Sequence, residues 1–316
     1  MLFYSAFCRA QVKNNIVNGD SSTHENVEKF DTSKALFKRV QPTPVHVFKM
    51  FYDAGMSPKE HQMTIKENLL VKSAFEMLPP LHQRVLKEHL RSISFLDDMP
   101  NTALTSIIEP DTPVRSYHIT FRAAILKQNV SEWLTEKERN CFNNSDVSRS
   151  VIVQGGNLNA IFYVLLHEAT HVVDGSLGLL DDQVKGATSY YNSFKSDFTN
   201  HIWKDRLNFD FFPIDSLFTK NHFRRGGKIF LLNQAYDLYQ GLKKTPFVSL
   251  YSSSSRHEDL AEYLTVYHFT RKLKQPFNIV LLENGRQVMV YKPMSSHLVK
   301  QRAQYMSIFY AKTPKV

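Results

Sequence analysis

With 316 residues, 42% of them hydrophobic, and 23 Phe and 14 Tyr against only 11 Gly, the chain has material for a large core and falls outside the disordered and fibrous classes. Its formal net charge of +9 invites a nucleic-acid reading. The basic residues are scattered in pairs such as Arg224-Arg225 and Lys243-Lys244, with no zinc-finger spacing or dense basic helix, so a solvated basic surface is favoured and no nucleic-acid partner is expected.

In chain order, the opening MLFYSAFCRAQ is apolar enough to read as the remnant of a secretion signal, although it lacks a basic n-region. That inclines the expected location to secreted or periplasmic rather than cytoplasmic. Residues 1–40 are otherwise polar and aperiodic, a flexible leader. Residues 41–92 read as a helical N-terminal part, broken at Pro79-Pro80 and resumed in LHQRVLKEHLRSI. The segments SISFL, ALTSIIE and SYHITFRAAIL read as strands separated by turn formers, and the polar TEKERNCFNNSDVSRS as a loop. No apolar run approaches the ~20 residues of a membrane-spanning helix, so no membrane span is expected. Cys8 and Cys141 are too far apart to suggest a disulfide framework or a metal knuckle.

After the short apolar run VIV, Asn157 is a good N-cap, and the spacing predicts a helix from Leu158 to Asp174 stopped by Gly175. Its apolar residues lie nearly all round, as in a helix buried within a core. Residues 180–250 are aromatic-rich and helical in flavour, followed by a helix in RHEDLAEYLTVYHFTRKL and a hairpin turning at Asn284-Gly285. HLVKQRAQYMSIFYA reads as a terminal helix. Helices, strands, a central helix and helices again argue for an α+β fold, with residues 93–316 as the main domain, able to form one compact unit with 41–92.

The central helix holds His167-Glu168-Ala169-Thr170-His171, an H-E-x-x-H pattern. Positions i and i+4 of a helix share a face, so both imidazoles can converge on one ion. Glu168, about 100° further round the axis, can reach a water there without being a ligand. As a mere hydrogen-bond plug, three polar groups in five buried helical positions would cost several kcal/mol unless partnered. Zinc needs a third protein ligand. A metzincin extension fails at Asp174 and Leu177, and GATSYYN from Gly186 matches the Asp-type signature poorly. Glu258 and Glu262, at i and i+4 on a later helix, fit better: Glu258 can complete the site and Glu262 can accept the outer N–H of a ligand histidine. Ser255-x-x-Glu258 is also a capping-box spacing, so Glu258 could instead cap its own helix; the want of another third ligand tips the balance towards the metal. His257 is a lesser candidate. Asp174 reads as an anchor for His171 or for the turn that follows, and Tyr190, Tyr191 and His201 could line a cleft or simply pack.

HEATHVVD followed by YSSSSRHEDLAE resembles the gluzincin metallopeptidases, most closely the group of the anthrax lethal factor catalytic domain and the Pro-Pro endopeptidases. That group pairs H-E-x-x-H-x-V-D with a Tyr seven residues before the ligand Glu, then E-x-x-A-E. The likeness covers two short segments, and the spacer between His171 and Glu258 is longer than in lethal factor, so no substrate preference carries over. It implies a zincin-like core, a small mixed sheet on an active-site helix, with one Zn2+ per chain at His167, His171 and Glu258. It also implies Glu168 as general base and Tyr251 as hydroxyl donor to the oxyanion. The expected function is a zinc metallopeptidase, an endopeptidase, acting on peptide or protein substrates, with SYHITFRAAIL as a strand that could bind an extended substrate. The alternatives are a catalytically silent zincin-fold binding or effector protein, and a zinc hydrolase of a non-peptide amide.

Overall fold

The computed structural model describes residues 31–108, 115–143, 146–180, 189–210 and 215–311, without the side chains of 189–192. The signal-like opening, Cys8, most of the proposed leader and the first three residues of GATSYYN lie outside the described residues. The leader reading does not extend to residue 40. Leu36–Arg39 forms a 3-10 turn, and Arg39 is buried, its guanidinium donating to the carbonyls of Leu86, Lys87 and Leu90. It thereby occupies acceptors that the end of a helix leaves open.

Three helices and a two-residue strand follow: α1 (Val45–Asp53), β1 (Lys59–Glu60), α2 (Ile65–Glu76) and α3 (Pro80–His89). A capping box between Thr64 and Glu67 starts α2, and the Pro79-Pro80 break seats Pro80 in the first turn of α3, where its missing N–H costs nothing. The strands β2 (Leu90–Asp97), β3 (Ala103–Ile108) and β4 (Ser116–Arg122) join β1 in a mixed sheet of order β1-β2-β4-β3. β4 runs parallel to β2 and antiparallel to β3. The AAIL end of the expected strand turns instead into a 3-10 segment, Ala123–Lys127.

The polar stretch expected to be a loop begins inside a helix, α4 (Val130–Arg139), capped by a reciprocal Asn129–Glu132 box and buried through Trp133 and Leu134. Then come β5 (Phe142–Asn143), β6 (Arg149–Gln154) and α5 (Ala160–Leu177). The α5 helix starts two residues later and ends three later than its spacing suggests: Asn159 is the N-cap, and Gly178, with φ 63°, makes the left-handed stop. Gly175 lies within the helix, where a Cβ would stand 2.4 Å from the Tyr117 hydroxyl, so it serves close packing rather than termination.

Beyond it lie α6 (Ser189–Thr199), α7 (Ser216–Thr219), β7 (Phe230–Leu231), α8 (Ala235–Lys243) and α9 (Arg256–Tyr267), the last running on into a π turn at His268–Lys272. β7 pairs with β5. β8 (Asn278–Glu283) and β9 (Arg286–Tyr291) form the hairpin, with Asn284 and Gly285 both at positive φ, and β6 adds to it as a second, antiparallel sheet of order β6-β8-β9. The final segment is only partly α-helical: α10 (His297–Gln301) gives way to a 3-10 stretch, Arg302–Tyr310. The fold is mixed α+β with small sheets. α5 runs through its middle, packed on α2, α3, α9 and β3. Among the described residues no helix is long and apolar enough to cross a membrane.

Candidate metal centre

α5 is buried on nearly every side, and one face carries His167 and His171. Opposite stands the first turn of α9. Ser255 caps that helix by accepting the Glu258 N–H at 3.2 Å, while the Glu258 carboxylate turns across to the histidines. Its Oε2 lies 3.0 Å from His167 Nε2 and 3.3 Å from His171 Nε2, and the two Nε2 atoms are 3.3 Å apart. The capping reading therefore holds only for the serine, which caps α9, while the Glu258 carboxylate forms no reciprocal capping box and faces the histidines instead. These three side chains could hold a metal ion, since one ligand atom from each falls within 4.8 Å of the others.

Glu168 stands on the neighbouring face of α5 and accepts a 2.6 Å hydrogen bond at Oε2 from the Thr105 hydroxyl. Thr105 belongs to β3, which among the described residues pairs only with β4. β4 itself is hydrogen-bonded on both sides and buried along nearly its whole length. SYHITFRAAIL therefore has no free edge to offer an extended substrate; the open edge beside the histidines belongs to β3.

Behind His167 lies Glu262, buried one turn further along α9. Its carboxylate accepts from Lys137 Nζ at 2.7 Å, Tyr163 OH at 2.8 Å and Ser249 Oγ at 3.2 Å. His167 Nδ1 is buried, makes no hydrogen bond, and faces Glu262 Oε1 at 3.6 Å. Asp174 reaches the turn after α5 by accepting the Leu180 N–H at 2.9 Å, and its other oxygen pairs with His257 Nδ1 at 2.6 Å. His257 thus braces α9 against α5. The Tyr251 ring lies 5.8 Å from that of His167, packed by Phe223. His201 is exposed in a turn with left-handed backbone, and the side chains of Tyr190 and Tyr191 lie outside the described residues.

Charge in this cluster is governed by pairing against burial. Burial disfavours the charged forms, yet the Glu258 carboxylate raises His171 to about 9, and His171 and His167 hold Glu258 well below the usual carboxylate range. Burial would likewise push Glu262 up, but the Lys137 ammonium and His167 bring it below its ordinary value. Two carboxylates thus stay ionised beside the imidazoles, an environment that favours a cation.

Thr105, Lys137, Tyr163 and Ser249 carry no motif in the sequence. The one local signal available was the Asn129-x-x-Glu132 box, which announces the helix bearing Lys137. No family model matches the chain, and no curated protein or solved structure does either.

Proposed function

We propose that this chain is a zinc-dependent metallopeptidase of the gluzincin kind, its zincin-like core formed by the mixed sheet and α5. The observation that carries this reading is the triangle of 3.0, 3.3 and 3.3 Å among Glu258 Oε2, His167 Nε2 and His171 Nε2. Ligand atoms bound at the usual zinc distances in a tetrahedral site stand about 3.3 Å apart. The buried Nδ1 of His167, facing Glu262, supports a single tautomer: a proton on Nδ1 leaves Nε2 free to ligate.

Zinc held there supplies Lewis acidity and lowers the pKa of water. The chain's own groups do the rest. Glu168, fixed at Oε2 by Thr105, takes the proton of the attacking water on its other oxygen and returns it to the leaving amine. The Tyr251 hydroxyl donates to the oxyanion, a role commonly worth about 2.7–4 kcal/mol. The edge of β3, unpaired on its outer side among the described residues, supports an endopeptidase, because an extended chain added there would run alongside Glu168.

The test is metal analysis combined with a peptide-library assay. One zinc per chain is expected, with hydrolysis abolished by chelators, and Glu168→Gln should keep the metal while losing turnover. Hydrolysis retained by a metal-replete Glu168→Gln protein, or a zinc-loaded wild type silent on the whole library, would overturn the reading.

A further inference from the structure

Lys137 makes a pair of contacts that the proposed chemistry leaves unused. From α4 its ammonium reaches inward, donates to Glu262 Oε1 at 2.7 Å, and lies 3.7 Å from the centroid of the Tyr251 ring. Its side chain is only 14% exposed, so both contacts are made largely away from water, where charge pairing and cation–π attraction are strongest. Glu262 in turn faces His167 Nδ1, and the Tyr251 ring is packed on its other sides by Phe223 and His167. Lys137, Ser249, Tyr251 and Glu262 line one small shared cavity. A single cation therefore links the carboxylate behind a ligand histidine to the ring whose hydroxyl the mechanism needs.

We propose that Lys137 is a positioning residue for the peptidase reaction, holding the Tyr251 ring beside the metal centre through its face while anchored on Glu262. This rests on the metallopeptidase reading. The geometry explains why an ammonium suits the place. Tyr251 sits in a short 3-10 turn, Tyr251–Ser253, with no regular helix or strand to orient its side chain. Three-sided packing by Phe223, His167 and Lys137 supplies that orientation. A neutral side chain of equal length would fill the space without the attraction to the ring or the anchor on Glu262.

The test compares Lys137→Met, Lys137→Arg and Tyr251→Phe, alone and combined. Lys137→Met should lower kcat by about 10- to 100-fold with KM little changed, the range seen when supporting groups of a metal site are removed. Lys137→Arg should recover most of that loss. Added to Tyr251→Phe, Lys137→Met should cost little more, because both changes remove the same hydroxyl contribution. Because Lys137→Met leaves Glu262 buried beside a neutral residue, Lys137→Gln, whose amide can still donate to Glu262 but brings no charge to the ring, serves as the second variant; it should fold and show the same kcat loss. A readout independent of turnover is the 19F resonance of Tyr251 in 3-fluorotyrosine-labelled protein, assigned by its loss in Tyr251→Phe. That resonance should move or split in Lys137→Met and return in Lys137→Arg. Full multiplication of the two losses, unchanged kcat in a folded Lys137→Met protein, or an unmoved resonance would each overturn the proposal. If the wild type hydrolyses nothing, the peptidase reading fails by itself, and the 19F comparison still decides whether Lys137 orients the ring.

Discussion

Thr105→Val removes one hydroxyl and keeps the β-branched shape that suits a strand. In the native protein that hydroxyl donates to Glu168 Oε2 at 2.6 Å, joining the edge of the sheet to the helix that carries both histidines. A hydrogen bond to a charged group is worth about 1.5–3 kcal/mol. At about 1.36 kcal/mol per factor of ten, losing it entirely from the transition state corresponds to roughly 10- to 150-fold in rate. The bond is also present before reaction, so part of its worth cancels, and we expect a fall in kcat near the lower end of that range. None of the three side chains proposed to hold the metal touches Thr105 in the contacts described above, so zinc content should stay at the proposed one per chain. Thr105 is only half-buried, and stability should change by less than about 1 kcal/mol. Steady-state kinetics on one cleaved peptide, with zinc analysis and a thermal melt on the same sample, separates these quantities. Thr105→Ser is the control, retaining the donor, and should recover most of the activity. A fully active Val variant would refute the assignment of Thr105 as the group that fixes Glu168. So would a Ser variant as impaired as the Val one, since shape rather than the hydroxyl would then matter.

Zinc removal should lower stability as well as activity: at free zinc one hundred times its Kd the metal adds about 2.7 kcal/mol, so a chelator should lower Tm in the wild type and leave His171→Ala unmoved. A melt indifferent to chelator in zinc-loaded wild type would contradict this. Asp259 binds the Arg302 guanidinium through both oxygens, at 3.0 and 2.6 Å, accepts from Trp203 Nε1 at 2.9 Å, and is buried with both partners. Asp259→Asn should therefore cost about 3–5 kcal/mol in urea denaturation by stranding a buried charge, and Asp259→Leu/Arg302→Met should cost less than the single change; a single variant within 1 kcal/mol of wild type would be the contrary result. Burial pushes His82 and His118 down to about 3, so the native state keeps them neutral where the unfolded chain takes up protons. Their folded values lie below the unfolded value of about 6.5, so stability falls as pH drops from about 6.5 towards 3, by roughly 2 kcal/mol per histidine at pH 5. His118→Asn should reduce the loss measured between pH 7.5 and pH 5 by about that amount, and an unchanged pH dependence would count against it.

The parts of the site legible in the sequence are those that a single helix turn spells out. His167, Glu168 and His171 are related by helical spacing alone, and so are Glu258 and Glu262, because the period of the helix fixes which side chains share a face before any tertiary contact forms. The hairpin at Asn284-Gly285 is of the same kind, its turn written in two residues that accept positive φ. The helix boundaries were harder. Asn157 and Asn159 are both acceptable caps, and Gly175 and Gly178 both acceptable stops; the choice was made by packing, with Tyr117 pressing on Gly175 and leaving Gly178 to turn the chain. The loop reading failed over residues 135–139 because charge outweighed the Asn129–Glu132 cap, although a helix lying on a sheet needs only one apolar stripe, here Val130, Trp133 and Leu134.

Supporting contacts made over long separations left no such trace. Thr105 meets Glu168 across 63 residues and Lys137 meets Glu262 across 125, each joining an element that the sequence suggests to one whose relative placement it does not. Strand order likewise decided which strand lies at the edge of the sheet. From alternation alone β3 and β4 are equivalent strands, and only the pairing β1-β2-β4-β3 makes β4 interior and leaves β3 beside Glu168. What the sequence lacks is therefore of one physical kind. It marks side chains that must sit together on one helix face, whereas the groups that hold them still come from separate elements and depend on which neighbour each element packs against. That division makes Thr105 and Lys137 the informative residues to change. Replacing a histidine tests whether a metal binds, while replacing either of these tests whether α5, α9, β3 and α4 are assembled around it as the hydrogen bonds require.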